Sequence, residues 1–124
     1  MIDLRVRKIL EESHDDMIAF ARRLIRLPSV TGEEKDVADA ILSEMKRLDF
    51  DDVYRDDAGN IVGIVSGNGG GEHLLFNCHM DQVDPGNLAA WEYPPFEGAI
   101  ADGWIHGRGA SDTKGAIATQ VYAA

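Results

Sequence analysis

Apolar positions recur with a helical period at both ends of the chain and with a shorter, strand-like period between them. Leu10, Met17, Phe20, Leu24 and Leu27 follow helical spacing, with Ala21 on the same face. They predict a long amphipathic helix over 3–27. Pro28 closes it, because the residue before a proline avoids the helical region. Val37, Ile41, Met45 and Leu48 define one face of a second helix. Thr31 followed by Glu34 has the capping-box spacing, an arrangement that stabilises a helix start by ~1 kcal/mol. Glu33 and Glu34 then read as first-turn acids facing the helix dipole.

After Leu48 the pattern changes. Asp52–Arg55 reads as a short edge-like strand, 57–60 as a turn by composition, and 61–65 as a β-branched second strand. Ser66 to Gly71 is glycine-rich. It lacks the Lys-Ser/Thr ending and the following helix of a phosphate loop, so it reads as a flexible hairpin loop. The run from His73 to Cys78 is short, apolar and bounded by glycines and polar residues, which predicts a buried third strand. A long loop over 86–97 carries Trp91, Tyr93 and Phe96, aromatics suited to packing the loop down or to walling a substrate. Asp102-Gly103 between two apolar triplets is a strong hairpin signal. The small and apolar residues from Lys114 to Ala124 suit a buried helix. The predicted fold class is α/β, with two N-terminal helices packed on a mixed sheet, in one domain over 1–124.

Composition narrows the partners rather than the fold. Hydrophobic residues make up 44% and charged residues 27%, values ordinary for a globular chain long enough for a core. The net charge of −10 argues against nucleic acid and anionic membrane, both of which attract basic surfaces. Cys78 is the one cysteine, so no internal disulfide forms, and a cytoplasmic setting is expected. The first residues, Met1 to Arg7, lack the apolar centre of a signal peptide, and no run is long enough to span a membrane.

The candidate chemistry lies between residues 73 and 115. His79 and Asp81 are two apart, so on extended backbone they project to one side, at the C-terminal end of the expected strand. Open α/β sheets hold their ligands there. One imidazole nitrogen can bind a metal while a carboxylate on the other fixes the tautomer. Asp112 follows Gly107-Arg108-Gly109 and precedes the last helix. Its two oxygens can bridge two cations, although an Asp in that place is also a common helix cap. Cys78, adjacent to His79, should point away from a metal. His14 reads as an exposed helix residue. His106, the rival ligand, reads as a packing residue, and Arg108 as an anchor of its loop through a carboxylate. Gly107-Arg108-Gly109 lacks the third glycine of a dinucleotide fingerprint.

His79-Met80-Asp81-Gln82-Val83-Asp84-Pro85-Gly86, then Trp91 to Phe96, then Gly107 to Gly115 resemble the zinc aminoacylase family. That family includes acetylornithine deacetylase, succinyl-diaminopimelate desuccinylase, carboxypeptidase G and related dipeptidases, and the similarity runs in order along nearly the whole chain. The resemblance implies a partial zinc-peptidase-like catalytic domain hydrolysing amide bonds in N-acyl amino acids or small peptides. It implies two divalent metal ions, zinc by default, with cobalt or manganese as alternatives. His79 would be a ligand of one metal, Asp112 would bridge both, and Asp81 would serve catalysis by orienting the His79 ring. The family's Glu-Glu pair, a further acidic ligand, a distant histidine and the lid domain have no counterpart here. The closing helix also has no glycine, asparagine or basic last turn to end it. The chain therefore reads as the N-terminal part of a longer enzyme, carrying half a two-metal site and inactive alone. The parent would be a homodimer through its lid. The alternative is an inactive fragment or a partner-binding domain.

Overall fold

A computed structural model describes residues 3–124. Met1 and Ile2, part of the stretch read above for targeting, lie outside the described residues. Helix α1 spans Leu4–Ile25. The Asp3 carboxylate caps it by accepting a hydrogen bond from the Arg5 backbone N–H at 2.8 Å. Phe20, Ala21, Leu24 and Ile25 are buried, with Met17 and Leu27 packed at the core's edge. Leu10, on the predicted apolar face, is exposed together with Leu4, Val6 and Ile9. The core begins at Met17, so the first turns of α1 run past it.

Helix α2 spans Lys35–Arg47 and buries Val37, Ala38, Ala40 and Ile41. It starts later than the capping box predicts. Glu34 stands at the cap without a side-chain cap bond, and its carboxylate accepts from the Gly32 N–H at 2.8 Å instead. The Thr31 hydroxyl is drawn to the carboxylate of Asp81, fifty residues away in sequence. A hydrogen bond to an ionised acceptor is the stronger of the two options.

Strands β1 (Asp52–Arg55) and β2 (Ile61–Ile64) form an antiparallel ribbon in which Val53 faces Gly63 and Tyr54 faces Val62. The Asp56 carboxylate closes its turn by accepting from the N–H groups of Ala58 and Asn60. The ribbon lies tight against the end of α2: a Cβ on Gly63 would fall 2.7 Å from Met45 Sδ. Strands β3 (Ala99–Ala101) and β4 (Trp104–His106) form the second antiparallel ribbon. Asp102 and Gly103 between them have φ of +51° and +81°, the paired positive values of a tight primed turn. Helix α3 (Gly115–Ala123) buries Ile117, Ala118 and Val121 in the core shared with α1 and α2.

A polar clamp joins α2 to α3. Glu44 is buried and accepts from the Tyr122 hydroxyl at 2.6 Å and from Arg47 Nη2 at 2.7 Å. Burial alone would raise the Glu44 pKa, but these bonds outweigh it and hold the carboxyl below its ordinary range. Burial, aided by the Glu44 carboxylate, pushes the Tyr122 hydroxyl up to about 12.

The fold is mixed α/β, as predicted, but the sheet differs in detail. Among the described residues each ribbon pairs only within itself, and the remaining bridge is a parallel contact between Val30 and Gln82. The expected mixed sheet is thus two antiparallel ribbons plus one parallel bridge. The run from His73 to Cys78 is not a buried strand: it is unpaired, and Leu75 is 85% exposed. An apolar strand is buried only by neighbours on its edges and a layer on its faces, and none of the described elements takes those places. Among the described residues no helix is long and apolar enough to cross a membrane.

Candidate functional site

Three segments meet where the candidate residues lie: 29–31 after α1, 79–82, and the loop 107–114 before α3. The first two run side by side. Buried Ser29 donates its hydroxyl to the Met80 carbonyl at 2.9 Å, and the Gln82 N–H donates to the Ser29 carbonyl at 2.8 Å. The third segment is pulled onto them. Gly109 has φ of +77°, and a Cβ there would lie 3.0 Å from Gln82 Oε1, so both conformation and space call for glycine. Gly107 has no room for a side chain against Ile25. Lys114 is buried, and its ammonium donates to the Leu27 carbonyl at 2.6 Å and to Gln82 Oε1 at 2.5 Å. Burial lowers its pKa to about 8.

This frame sets the positions of His79 and Asp112. A wide turn over Ala110–Lys114 presents the Asp112 carboxylate. Next to it, the Thr113 hydroxyl donates to the His79 carbonyl at 2.9 Å, tying the turn to the histidine's own backbone. His79 Nε2 lies 2.9 Å from Asp112 Oδ1, and His79 Nδ1 lies 3.0 Å from Asp81 Oδ1. The other Asp81 oxygen accepts from the Thr31 hydroxyl at 2.6 Å. The result is a hydrogen-bonded row from Thr31 through Asp81 and His79 to Asp112.

The electrostatics follow from the row. The Asp112 carboxylate on one nitrogen, with Asp81 on the other side, raises the His79 pKa above its ordinary value. The Thr31 hydroxyl, reinforced by the charge of His79, lowers that of Asp81. The His79 side chain is 50% exposed and that of Asp112 84% exposed, so the pair opens to solvent.

The donor chemistry suits a divalent metal. An imidazole nitrogen and a carboxylate oxygen converge on one point, and the second imidazole nitrogen is held by a carboxylate, the usual support for a ligating histidine. A cation there would take the place of the proton on Nε2. Zinc sites use three or four protein ligands or an open position beside three, and among the described residues no group of three His, Cys, Asp or Glu side chains could hold a metal. His79 and Asp112 therefore fit as two ligands of a centre, not as a whole one.

The other candidates lie apart from this row. His106 packs its ring on Tyr93, with centroids 4.5 Å apart. Among the described residues no carboxylate pairs with Arg108; its guanidinium sits 5.0 Å from the Trp91 ring centroid, a cation–π contact. Trp91 in turn donates its indole N–H to the Pro85 carbonyl at 2.9 Å. His14 is exposed on α1 beside Asp15. Asp84 closes a local turn by accepting from the Gly86 N–H. Cys78 is half-buried with Sγ 3.5 Å from the Thr113 hydroxyl. Sequence reasoning missed Ser29, Thr31, Gln82 and Lys114. Pro28 and Thr31 marked a helix boundary, but no local pattern announces partners fifty residues away.

The fold and the row define an α/β chain with a histidine hydrogen-bonded between two aspartates at an open surface. Residues 75–124 match the sequence model described as peptidase family M20/M25/M40. The chain is 40% identical over 119 residues to the uncharacterized protein YgeY of Escherichia coli (strain K12), covering 93% of this chain and 29% of that protein. It is 39% identical over 115 residues to the succinyl-diaminopimelate desuccinylase of Rhodopseudomonas palustris (strain BisA53), covering 87% and 29% respectively. To the protein of the same name from Bradyrhizobium sp. (strain BTAi1 / ATCC BAA-1182) it is 39% identical over 116 residues, covering 88% and 30%. The match over residues 75–124 and the likeness to these proteins agree with the resemblance read from the motifs, and the chain spans under a third of the length of these curated relatives.

Proposed function

We propose that this chain supplies His79 and Asp112 as ligands, and Asp81 as the orienting carboxylate, to a two-metal centre that hydrolyses amide bonds. The 2.9 Å approach of His79 Nε2 to Asp112 Oδ1, with Asp81 on the opposite ring nitrogen, carries the proposal. Bound divalent metals, zinc by default and cobalt or manganese as alternatives, would polarise a scissile carbonyl and lower the pKa of a water molecule. The chain's own residues do the holding. Asp81 keeps the proton on Nδ1 and turns Nε2 outward. Asp112 turns one oxygen toward His79, and its carboxylate would help to hold a second cation. The Thr113 bond to the His79 carbonyl keeps the two ligands in register. Substrates are N-acyl amino acids or small peptides, a class supported by relatives named for desuccinylation.

The test is metal binding by the chain itself. Isothermal titration with zinc or cobalt should show uptake that is lost in His79→Ala and in Asp112→Ala and kept in His106→Ala. Equal uptake by all four proteins would overturn the assignment. The second reading, a domain that binds a partner without turnover of its own, draws support from the exposed row Leu74, Leu75 and Phe76.

A further inference from the structure

Thr31 lies in the segment 28–34, to which the sequence assigns no chemical role, yet its hydroxyl lies 2.6 Å from Asp81 Oδ2. The other oxygen of that carboxylate holds His79 Nδ1 at 3.0 Å. Asp81 therefore has both oxygens occupied, one by a neutral donor on the α1–α2 connection and one by the histidine ring. A carboxylate held at one end only can rotate about its side-chain torsions, and the ring it supports rotates with it. Held at both ends, it fixes the plane in which the ring stands. The segment that carries Thr31 is itself anchored. Ser29 bonds the Met80 carbonyl, the Gln82 N–H bonds the Ser29 carbonyl, and Val30 bridges Gln82 in parallel. The Glu33 N–H closes the turn on the Val30 carbonyl at 2.7 Å.

We infer that Thr31 is a positioning residue, which sets the orientation of the His79 ring through Asp81 and thereby the aim of Nε2. Its importance to metal affinity rests on the metal reading above; its hold on the ring does not. Thr31 is exposed and packs no core, so its loss acts on the site rather than on folding.

Thr31→Val keeps the shape of the side chain and removes the donor. Thr31→Ser keeps the donor. In the metal-free chain, NMR relaxation of the His79 ring carbons should show an ordered ring in the parent and in Thr31→Ser, and a mobile ring in Thr31→Val. Cobalt titration should show affinity about tenfold lower in Thr31→Val and within twofold of the parent in Thr31→Ser, the scale expected for a group supporting a ligand. In an Asp81→Ala background Thr31→Val should have no further effect on either reading, because the relay is already cut. A ring as ordered in Thr31→Val as in the parent overturns the inference, as does a Thr31→Ser chain that behaves like Thr31→Val. Should the unsubstituted chain bind no cobalt, as two ligands alone allow, ring order by itself decides the role of Thr31.

Discussion

The Lys114 ammonium donates to the Leu27 carbonyl at 2.6 Å, joining residues eighty-seven apart in sequence. Leu27 is where α1 gives out before Pro28, so its carbonyl has no partner further along a helix. Lys114 supplies one, and with its second bond to Gln82 it fastens the Asp112 turn to the segment that carries His79. Lys114→Met should leave the buried Gln82 Oε1 and the part-buried Leu27 carbonyl unpaired. Urea unfolding followed by circular dichroism should show a loss of about 1–2 kcal/mol, the range for unsatisfied buried groups partly offset by no longer burying a charge.

The exposed run after the glycine-rich loop gives a contrast between apolar residues of equal size. Leu24 is fully buried in α1, and Leu75 is almost wholly exposed. Leu24→Ala should destabilise the chain by about 2–5 kcal/mol. Leu75→Thr should change its stability by no more than about 0.5 kcal/mol. A large loss from Leu75→Thr in denaturant titrations would restore the buried-strand reading.

The clamp between α2 and α3 predicts a pH signature. The folded chain raises the Tyr122 hydroxyl to about 12 from an ordinary 10, so the protonated phenol is the form that folding favours. Its contribution is fully present below pH 10 and is lost as the pH climbs from 10 to 12. Glu44 is held below its ordinary value, so its contribution is present above pH 4.5 and falls away under further acidification. Tyr122→Phe should cost about 1–2 kcal/mol at neutral pH, the range for a hydrogen bond to a charged group. The gap between the two proteins should close between pH 10 and 12, as read from urea midpoints across a pH series.

The site's composition predicts its limit as a catalyst. On the proposed reading His79 and Asp112 supply two ligands, fewer than the three or four that zinc sites use. The 124-residue chain, given zinc, cobalt or manganese in turn, should release no amino acid from N-acetyl or N-succinyl amino acids. Turnover that vanishes in both His79→Ala and Asp112→Ala would show that the chain is self-sufficient.

Much of this was legible before any coordinates. The helix faces of α1 and α2, the Asp102-Gly103 turn, and the pairing of His79 with Asp81 all rest on near-neighbour geometry: a helical period, a primed turn, two residues on one side of a chain. Such features involve a few consecutive residues, so the sequence determines them. The approach of Asp112 to His79 was accessible only through a resemblance of motifs, since thirty-three residues separate the two. What the tertiary structure alone decided is where the polar side chains between elements find their partners. Thr31 had a local offer, the start of α2, and a distant one, the Asp81 carboxylate; the charged acceptor took it. His73 to Cys78 had the composition of a buried strand, but burial depends on which elements lie alongside, and none does among the described residues. Local pattern encodes the conformation a segment prefers, while its burial and long-range bonds depend on the surfaces that the rest of the fold brings to it.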